Sequence, residues 1–137
     1  MRLERIVYCS GSTVPTDNLL VISEILAVSD RNNRRDGLTG ALAINEGWFL
    51  QVLEGPTGPL DGLVSRLQAD TRHRDFTVLQ RREITSRLFG DWTMTSARIT
   101  PAVGPDLKAL IDECRSDPDD AVAGLLRIVS SANQARA

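Results

Sequence analysis

Gly47-Trp48-Phe49-Leu50-Gln51-Val52-Leu53-Glu54-Gly55 is the stretch on which the fold turns. An apolar run with a glycine at each end reads as a buried strand. Gln51 interrupts it with an amide, and a buried amide left without a partner costs about 1–3 kcal/mol. This strand therefore predicts a polar partner for Gln51 elsewhere in the chain.

Just upstream, Asn45-Glu46-Gly47 predicts a tight hairpin turn, with Leu38 to Ile44 as the strand before it. Leu3 to Ser10 alternates as a first strand, with Ile6 and Tyr8 on one face and Val7 and Cys9 on the other. Between them a helix starts near Thr16 or Asp17 and runs to about Asn33, striped by Leu19, Ile22, Ile25 or Leu26, and Ser29. Downstream, Pro56-Thr57-Gly58-Pro59 opens a second helix with the stripe Leu60, Leu63, Val64 and Leu67. Asp70 to Asp75 is a polar break before a strand from Phe76 to about Ile84. A fifth strand, Trp92 to Ile99, follows the turn at Phe89-Gly90-Asp91.

The order β-α-β-β-α-β-β predicts an α+β, ferredoxin-like sandwich with one added strand and both helices on one sheet face. Two amphipathic tail helices should cover the other face, above Val7, Leu50 and Val52. Their stripes are Leu107, Leu110, Ile111, Cys114 and Val122, Leu125, Leu126, Val129, with Asp117-Pro118 capping the second. Ser130 to Ala137 reads as a frayed end. The expected organisation is a core over residues 1–99 and a helical extension over 100–137.

Composition bounds the rest. The chain has 137 residues, net charge -2, 42% hydrophobic and 25% charged residues, which fits one soluble domain without an electrostatic footprint for nucleic acid or an anionic membrane. No apolar run nears the ~20 residues of a membrane span. No signal core precedes the first strand, so the expected location is cytoplasmic. His73 is the only histidine, which excludes a multi-histidine metal site. Cys9 and Cys114 have neither disulfide-framework nor metal spacing and read as inert packing. No G-x-S-x-G elbow or phosphate-cradling glycine loop is present.

Taken singly, the polar residues near the core have bland readings. Tyr8 is a core tyrosine, an asparagine at Asn32-Asn33 tolerates a helix C-terminus, and Arg72 and His73 are solvated. Trp92 and Met94 fill core, Glu54 starts a turn, and Arg31, Arg34 and Arg35 form a solvated face. Their conjunction reads differently. Tyr8 and Gln51 lie on strands that should be neighbours, and both can face the groove between the two helices. Asn32 and Asn33 end one helix; Asp70, Arg72 and His73 follow the other. A flat molecule with an apolar ring and carbonyl and amide edges would satisfy this set, sandwiched by Ile25 and Leu67.

Six motifs then occur in order: Tyr8-Cys9-Ser10; Ser29 with Asn32-Asn33; Leu38-Thr39-Gly40; Gly47 to Gly55; Asp70-Thr71-Arg72-His73; and Arg87-Leu88-Phe89-Gly90-Asp91-Trp92-Thr93-Met94. Over roughly residues 3 to 98 the chain resembles the BLUF family, blue-light sensors that use a flavin. The resemblance implies FAD between the two helices, with FMN or riboflavin as alternatives. It implies Tyr8 as electron and proton donor and Gln51 as the amide that rearranges beside the flavin. It implies Asn33 at a flavin carbonyl edge with Asn32 close by, and Arg72, Asp70 and His73 near the polar side. Trp92 and Met94 would carry the signal outward to a partner protein, in a homodimer or higher homo-oligomer, with no catalytic turnover. Thr71 departs from the proline common in the family, which loosens the turn before Arg72.

Rival readings carry less. An acylphosphatase needs an arginine-bearing loop after the first strand, where this chain has Ser10-Gly11-Ser12-Thr13. An RNA-binding sandwich needs exposed aromatics and a basic surface, against 4% aromatics here. A cofactor-free or light-insensitive ferredoxin-like regulatory domain is opposed only by Tyr8 and Gln51.

Overall fold

The computed structural model describes residues 2–13, 19–90, 95–96 and 104–136. The elements in chain order are β1 (Leu3–Ser12), α1 (Leu19–Asp36), β2 (Thr39–Asn45), β3 (Trp48–Pro56) and α2 (Thr57–Ala69). β4 (His73–Ile84), β5 (Thr95–Ser96), α3 (Gly104–Glu113) and α4 (Pro118–Arg136) complete them. The sheet order is β4-β1-β3-β2-β5. β1 runs antiparallel to β3 and β4, β2 antiparallel to β3, and β5 parallel to β2. This is the ferredoxin-like α+β sandwich with an added strand that the element order predicts.

The hairpin between β2 and β3 sets the register. Glu46 and Gly47 both take positive φ (49° and 84°), the two-residue turn whose twist matches the flanking strands. Asn45 then pairs with Trp48, and Gln51 faces Leu42 on one side and Tyr8 on the other. Because side chains alternate along a strand, every central strand serves both faces. Ile6, Tyr8, Leu42, Ile44, Phe49 and Leu53 lie on the α1/α2 side, with Ile25 and Leu26 of α1 and Leu60, Leu63, Val64 and Leu67 of α2. Val7, Cys9, Ala41, Ala43, Leu50 and Val52 lie on the other, beneath Leu107, Cys114, Val122, Leu125 and Val129. Two covered faces explain why β1 to β3 read apolar throughout. The Asp117 carboxylate caps α4, accepting from the Asp120 amide at 3.1 Å.

Gly40 marks a close approach: a Cβ there would stand 2.0 Å from the Val52 carbonyl oxygen of the neighbouring strand. The other instructive glycine is Gly37. α1 continues past Asn33 to Asp36, and Gly37 (φ 71°) takes the left-handed position, with the Leu38 amide donating to the Asn33 carbonyl at 2.9 Å. The asparagines are thus inside the helix, and the capping explanation for them fails. β4 starts at His73 rather than Phe76, pairing His73 with Ser12. An edge strand needs only partial burial, so its polar residues imitate a loop. α4 stays helical to Arg136, although the sequence predicts fraying from Ser130 onward. Of the fifth strand only Thr95–Ser96 is described. Trp92, Met94 and the expected N-cap at Thr16 or Asp17 lie outside the described residues.

Candidate functional site

Between α1, α2 and the sheet lies a cleft whose lining includes Tyr8, Ile25, Asn32, Asn33, Gln51, Leu67, Asp70, Arg72 and His73. The structure therefore brings together every binding residue the sequence singled out. It adds Val28 and Ser29 from α1, Leu42 and Phe49 from the sheet, and Leu63 and Arg66 from α2. The cleft is narrow, about 140 Å³, against the ~300–1,000 Å³ of a typical small-molecule chamber.

Tyr8 and Gln51 form its floor. They are direct cross-strand neighbours, and both are buried. The Tyr8 hydroxyl donates to Gln51 Oε1, so the predicted partner of the mid-strand amide is the tyrosine. Burial pushes the Tyr8 phenol well above its usual value, and the Asp70 carboxylate adds to the shift. Tyr8 is thus a neutral hydroxyl at ordinary pH, with a proton aimed at the amide. The Tyr8 ring packs on Phe76 at 4.9 Å between centroids, which fixes its position from the β4 side.

Asn32 and Asn33 project from the last turns of α1. Asn33 is 2% exposed, and its backbone carbonyl is held by the Leu38 amide. At the other end of the cleft, Asp70 grips Arg72 through a 2.7 Å ion pair and accepts from its backbone amide at 2.9 Å. The Arg72 hydrogen bond is the main reason the Asp70 carboxyl is held below its usual range. A carboxylate two residues upstream thus sets the direction of the arginine, even with Thr71 in place of a stiffening residue. The His73 Nδ1 lies 2.7 Å from the buried Ser10 hydroxyl. Burial lowers its affinity for a proton, so it is neutral near pH 7.

The donor set fits a flavin. Three side-chain amides can each donate and accept, as the carbonyl and imide edge of a flavin requires. Ile25, Val28, Leu63 and Leu67 supply apolar walls, and Arg66 and Arg72 can meet an anionic chain. Among the described residues no cluster of His, Cys, Asp and Glu could hold a metal ion.

One residue next to the site escaped the sequence reading. Glu54 is fully buried, not the start of a turn. Its carboxylate pairs with Arg5 at 2.9 Å and accepts from the Leu88 and Phe89 amides at 3.0 and 2.6 Å. It ties the strand of Gln51 to the turn that leads toward Trp92. An acidic residue ending an otherwise unbroken apolar strand was the available signal.

Comparison with known proteins agrees with this geometry. The family model for BLUF, sensors of blue-light using FAD, matches residues 3–95. The chain belongs to the BLUF family of flavin blue-light sensors. It is 37% identical over 98 residues to the photoactivated adenylate cyclase subunit beta of Euglena longa, covering 71% of this chain and 11% of that protein. It is 33% identical over 99 residues to the alpha subunit of Euglena gracilis, covering 72% and 10%. The chain thus spans about a tenth of the length of these curated relatives. Among solved structures, the dark state of the BLUF protein BlrB superposes with a TM-score of 0.79 at 34% identity, over 96% of this chain and 97% of that one. A bacterial light-regulated adenylyl cyclase matches with a TM-score of 0.72 at 31% identity, over 83% and 34%. The photo-activated state of BlsA shares the fold, with a TM-score of 0.75 at 21% identity over 90% and 94%. Among the described residues no helix is long and apolar enough to cross a membrane.

Proposed function

We propose that this chain is a blue-light receptor whose switch is the Tyr8–Gln51 pair and whose output is read by a partner protein. The observation that carries the proposal is the hydrogen bond from Tyr8 to Gln51 Oε1 on the floor of a cleft lined by side-chain amides and apolar walls. When bound, a photoexcited flavin supplies a strong one-electron oxidant; FAD is the form the family implies. Asn32, Asn33 and Gln51 hold the polar edge, Ile25 and Leu67 clasp the ring, and Asp70, Arg72 and His73 orient the polar side.

Tyr8 is the electron and proton donor. Its hydroxyl proton already points at Gln51 Oε1, so a proton released on oxidation passes to the amide and not to water. Gln51 then exchanges its donor and acceptor ends, by rotation or tautomerisation. The new arrangement persists because the amide is 5% exposed and water has little access to restore it. No covalent bond forms and no substrate is consumed. The expected output surface is the extension over residues 100–137, whose helices pack on the opposite sheet face.

The experiment is an absorption spectrum of the purified protein in the dark and under blue light, with Gln51→Leu alongside. A reversible shift to longer wavelength is expected in the wild type, and its loss with flavin retained in Gln51→Leu. A normal shift in Gln51→Leu removes the amide from the switch. A colourless protein that takes up no added flavin refutes the receptor reading.

A further inference from the structure

The residue after Tyr8 on β1 points to the opposite face of the sheet. There Cys9, 2% exposed, and Cys114, 1% exposed, sit in one apolar cluster. Both are free thiols. They are remote in sequence and meet because Cys114, in the turn after α3, is laid on the sheet face that Cys9 of β1 occupies. Two buried cysteines can be mere filler. Three features here exceed what filler requires.

First, the two thiols are hydrogen-bonding neighbours within one buried cluster, and Cys114 Sγ donates to the Ile111 carbonyl oxygen at 3.1 Å. Second, a cation stands by: the Arg115 guanidinium favours a Cys9 thiolate and lies 6.0 Å from the Trp48 ring centroid. Third, Cys9 has an approach. A cleft of about 220 Å³ is lined by Cys9, Trp48, Ile111, Asp112 and Arg115. The Cys114 hydrogen bond, with Arg115 adding to it, outweighs burial and lowers the Cys9 thiol to about 7, while Cys114 is pushed well up. A thiol lining a cleft, beside a second thiol and a guanidinium, is the arrangement of a nucleophilic cysteine and its resolving partner.

We propose that Cys9 and Cys114 form a reversible dithiol–disulfide site that takes a hydroperoxide as its oxidant. The Cys9 thiolate attacks the terminal peroxide oxygen. The O–O bond breaks, and the alcohol or water leaves after taking up a proton. Cys9 is now a sulfenic acid. Cys114 sulfur attacks Cys9 sulfur, the S–S bond forms, the S–O bond breaks, and water departs with the Cys114 proton. Two thiols and one hydroperoxide give one disulfide, one alcohol or water, and one water. An external dithiol reverses the change by exchange. The disulfide ties the end of α3 to the strand of Tyr8. A consequence for signalling rests on the reading of the tail as output surface: the cross-link holds α3 on the sheet.

The test uses the purified, flavin-loaded protein in the dark. Hydrogen peroxide is added, quenched with catalase, and the chain is denatured and alkylated with N-ethylmaleimide. The expected result is loss of both alkylations and of the mass of two hydrogens, restored by dithiothreitol. Cys114→Ser should yield a Cys9 sulfenic acid captured by dimedone, and Cys9→Ser should leave Cys114 alkylatable at the same dose. Full alkylation of the treated wild type overturns the proposal, as does a disulfide found only between two chains. Neither readout needs light, so the site is judged apart from the receptor reading. Hydrogen exchange of residues 104–113 should slow in the oxidised protein; unchanged exchange with the disulfide formed sustains the site and refutes the tether.

Discussion

Glu54→Ala should be a severe single change outside the cleft. Glu54 is fully buried and its partner Arg5 is 10% exposed at the side chain. Removing one member of a buried ion pair leaves the other uncompensated, at about 3–5 kcal/mol. The Phe89 amide also loses its acceptor at 2.6 Å, and Phe89 is fully buried, which adds about 1–3 kcal/mol. The Leu88 amide belongs to a residue 45% exposed, so water takes over its bond at little cost. A total near ~5 kcal/mol approaches the whole stability of a marginal domain. With an m-value of about 2 kcal/mol/M, the urea midpoint should fall by about 2.5 M. Glu54→Gln keeps one acceptor for Phe89 and should lose roughly half as much. The double change Arg5→Met with Glu54→Leu removes both charges together and should be less damaging than Glu54→Ala alone. Urea unfolding followed by circular dichroism measures all three. A loss under about 1 kcal/mol for Glu54→Ala, or a double variant no more stable than Glu54→Ala, refutes the assignment of this buried pair and of its carboxylate as the pin of the 88–89 turn.

Tyr8→Phe removes the hydroxyl that satisfies Gln51; a stability loss of about 1 kcal/mol is expected, together with loss of the wild-type photocycle on illumination. A wild-type-like reversible spectral change would take Tyr8 out of the donor role. His73 has its proton affinity lowered by burial, so above its ordinary value of 6.5 it is neutral in both folded and unfolded chains. Below 6.5 the unfolded chain binds the proton first, and stability should fall with pH until the folded value is passed, by up to about 1.4 kcal/mol per unit. In a melting series from pH 7.5 to pH 5, His73→Gln should flatten that slope; an unchanged slope assigns it to other groups. Gly40→Ala places a methyl against the Val52 carbonyl and should cost about 3 kcal/mol or abolish soluble expression. Melting within two degrees of wild type would show that the strands yield there.

Much of this site was legible because polar residues in the wrong place are conspicuous. Gln51 is an amide inside an apolar run, and its partner Tyr8 lies directly across the β1–β3 ladder. The hairpin glycine at 47 fixes the β2–β3 register, which sets Gln51 opposite Leu42 on its other side. Asn32 and Asn33 were harder, since a helix end explains an asparagine; only Gly37, taking the left-handed position itself, releases them for the cleft. His73 looked like loop because an edge strand is polar on its open side, so the start of β4 was misplaced. Leu42, Phe49 and Leu63 line the cleft but look like any core residue, and nothing in their spacing separates a wall from a core. Glu54 was hidden for the opposite reason. Its partners come from Arg5 and from the 88–89 backbone, and backbone amides leave no trace in sequence.

Strand alternation gives a change at Gln51 two ways out, and the contacts differ in kind. Through the sheet, the adjacent Leu50 and Val52 press on the cluster of Leu107, Leu125 and Val129. Those contacts are dispersive and non-directional, so a packed core passes on a push from the strand without fixing its direction. Along the strand, three residues on, Glu54 holds Arg5, Leu88 and Phe89 by charge-assisted bonds that weaken steeply when bent. Arg87 adds bonds to the Gly37 and Glu54 carbonyls and to Thr39 at 2.9 to 3.2 Å, tying the same turn to the end of α1 and the start of β2. The direction of a small movement is kept by directional bonds and is not specified by apolar ones. If Gln51 switches as proposed, the Glu54 network is the stiffer path, and the first backbone to feel it is the turn before Trp92.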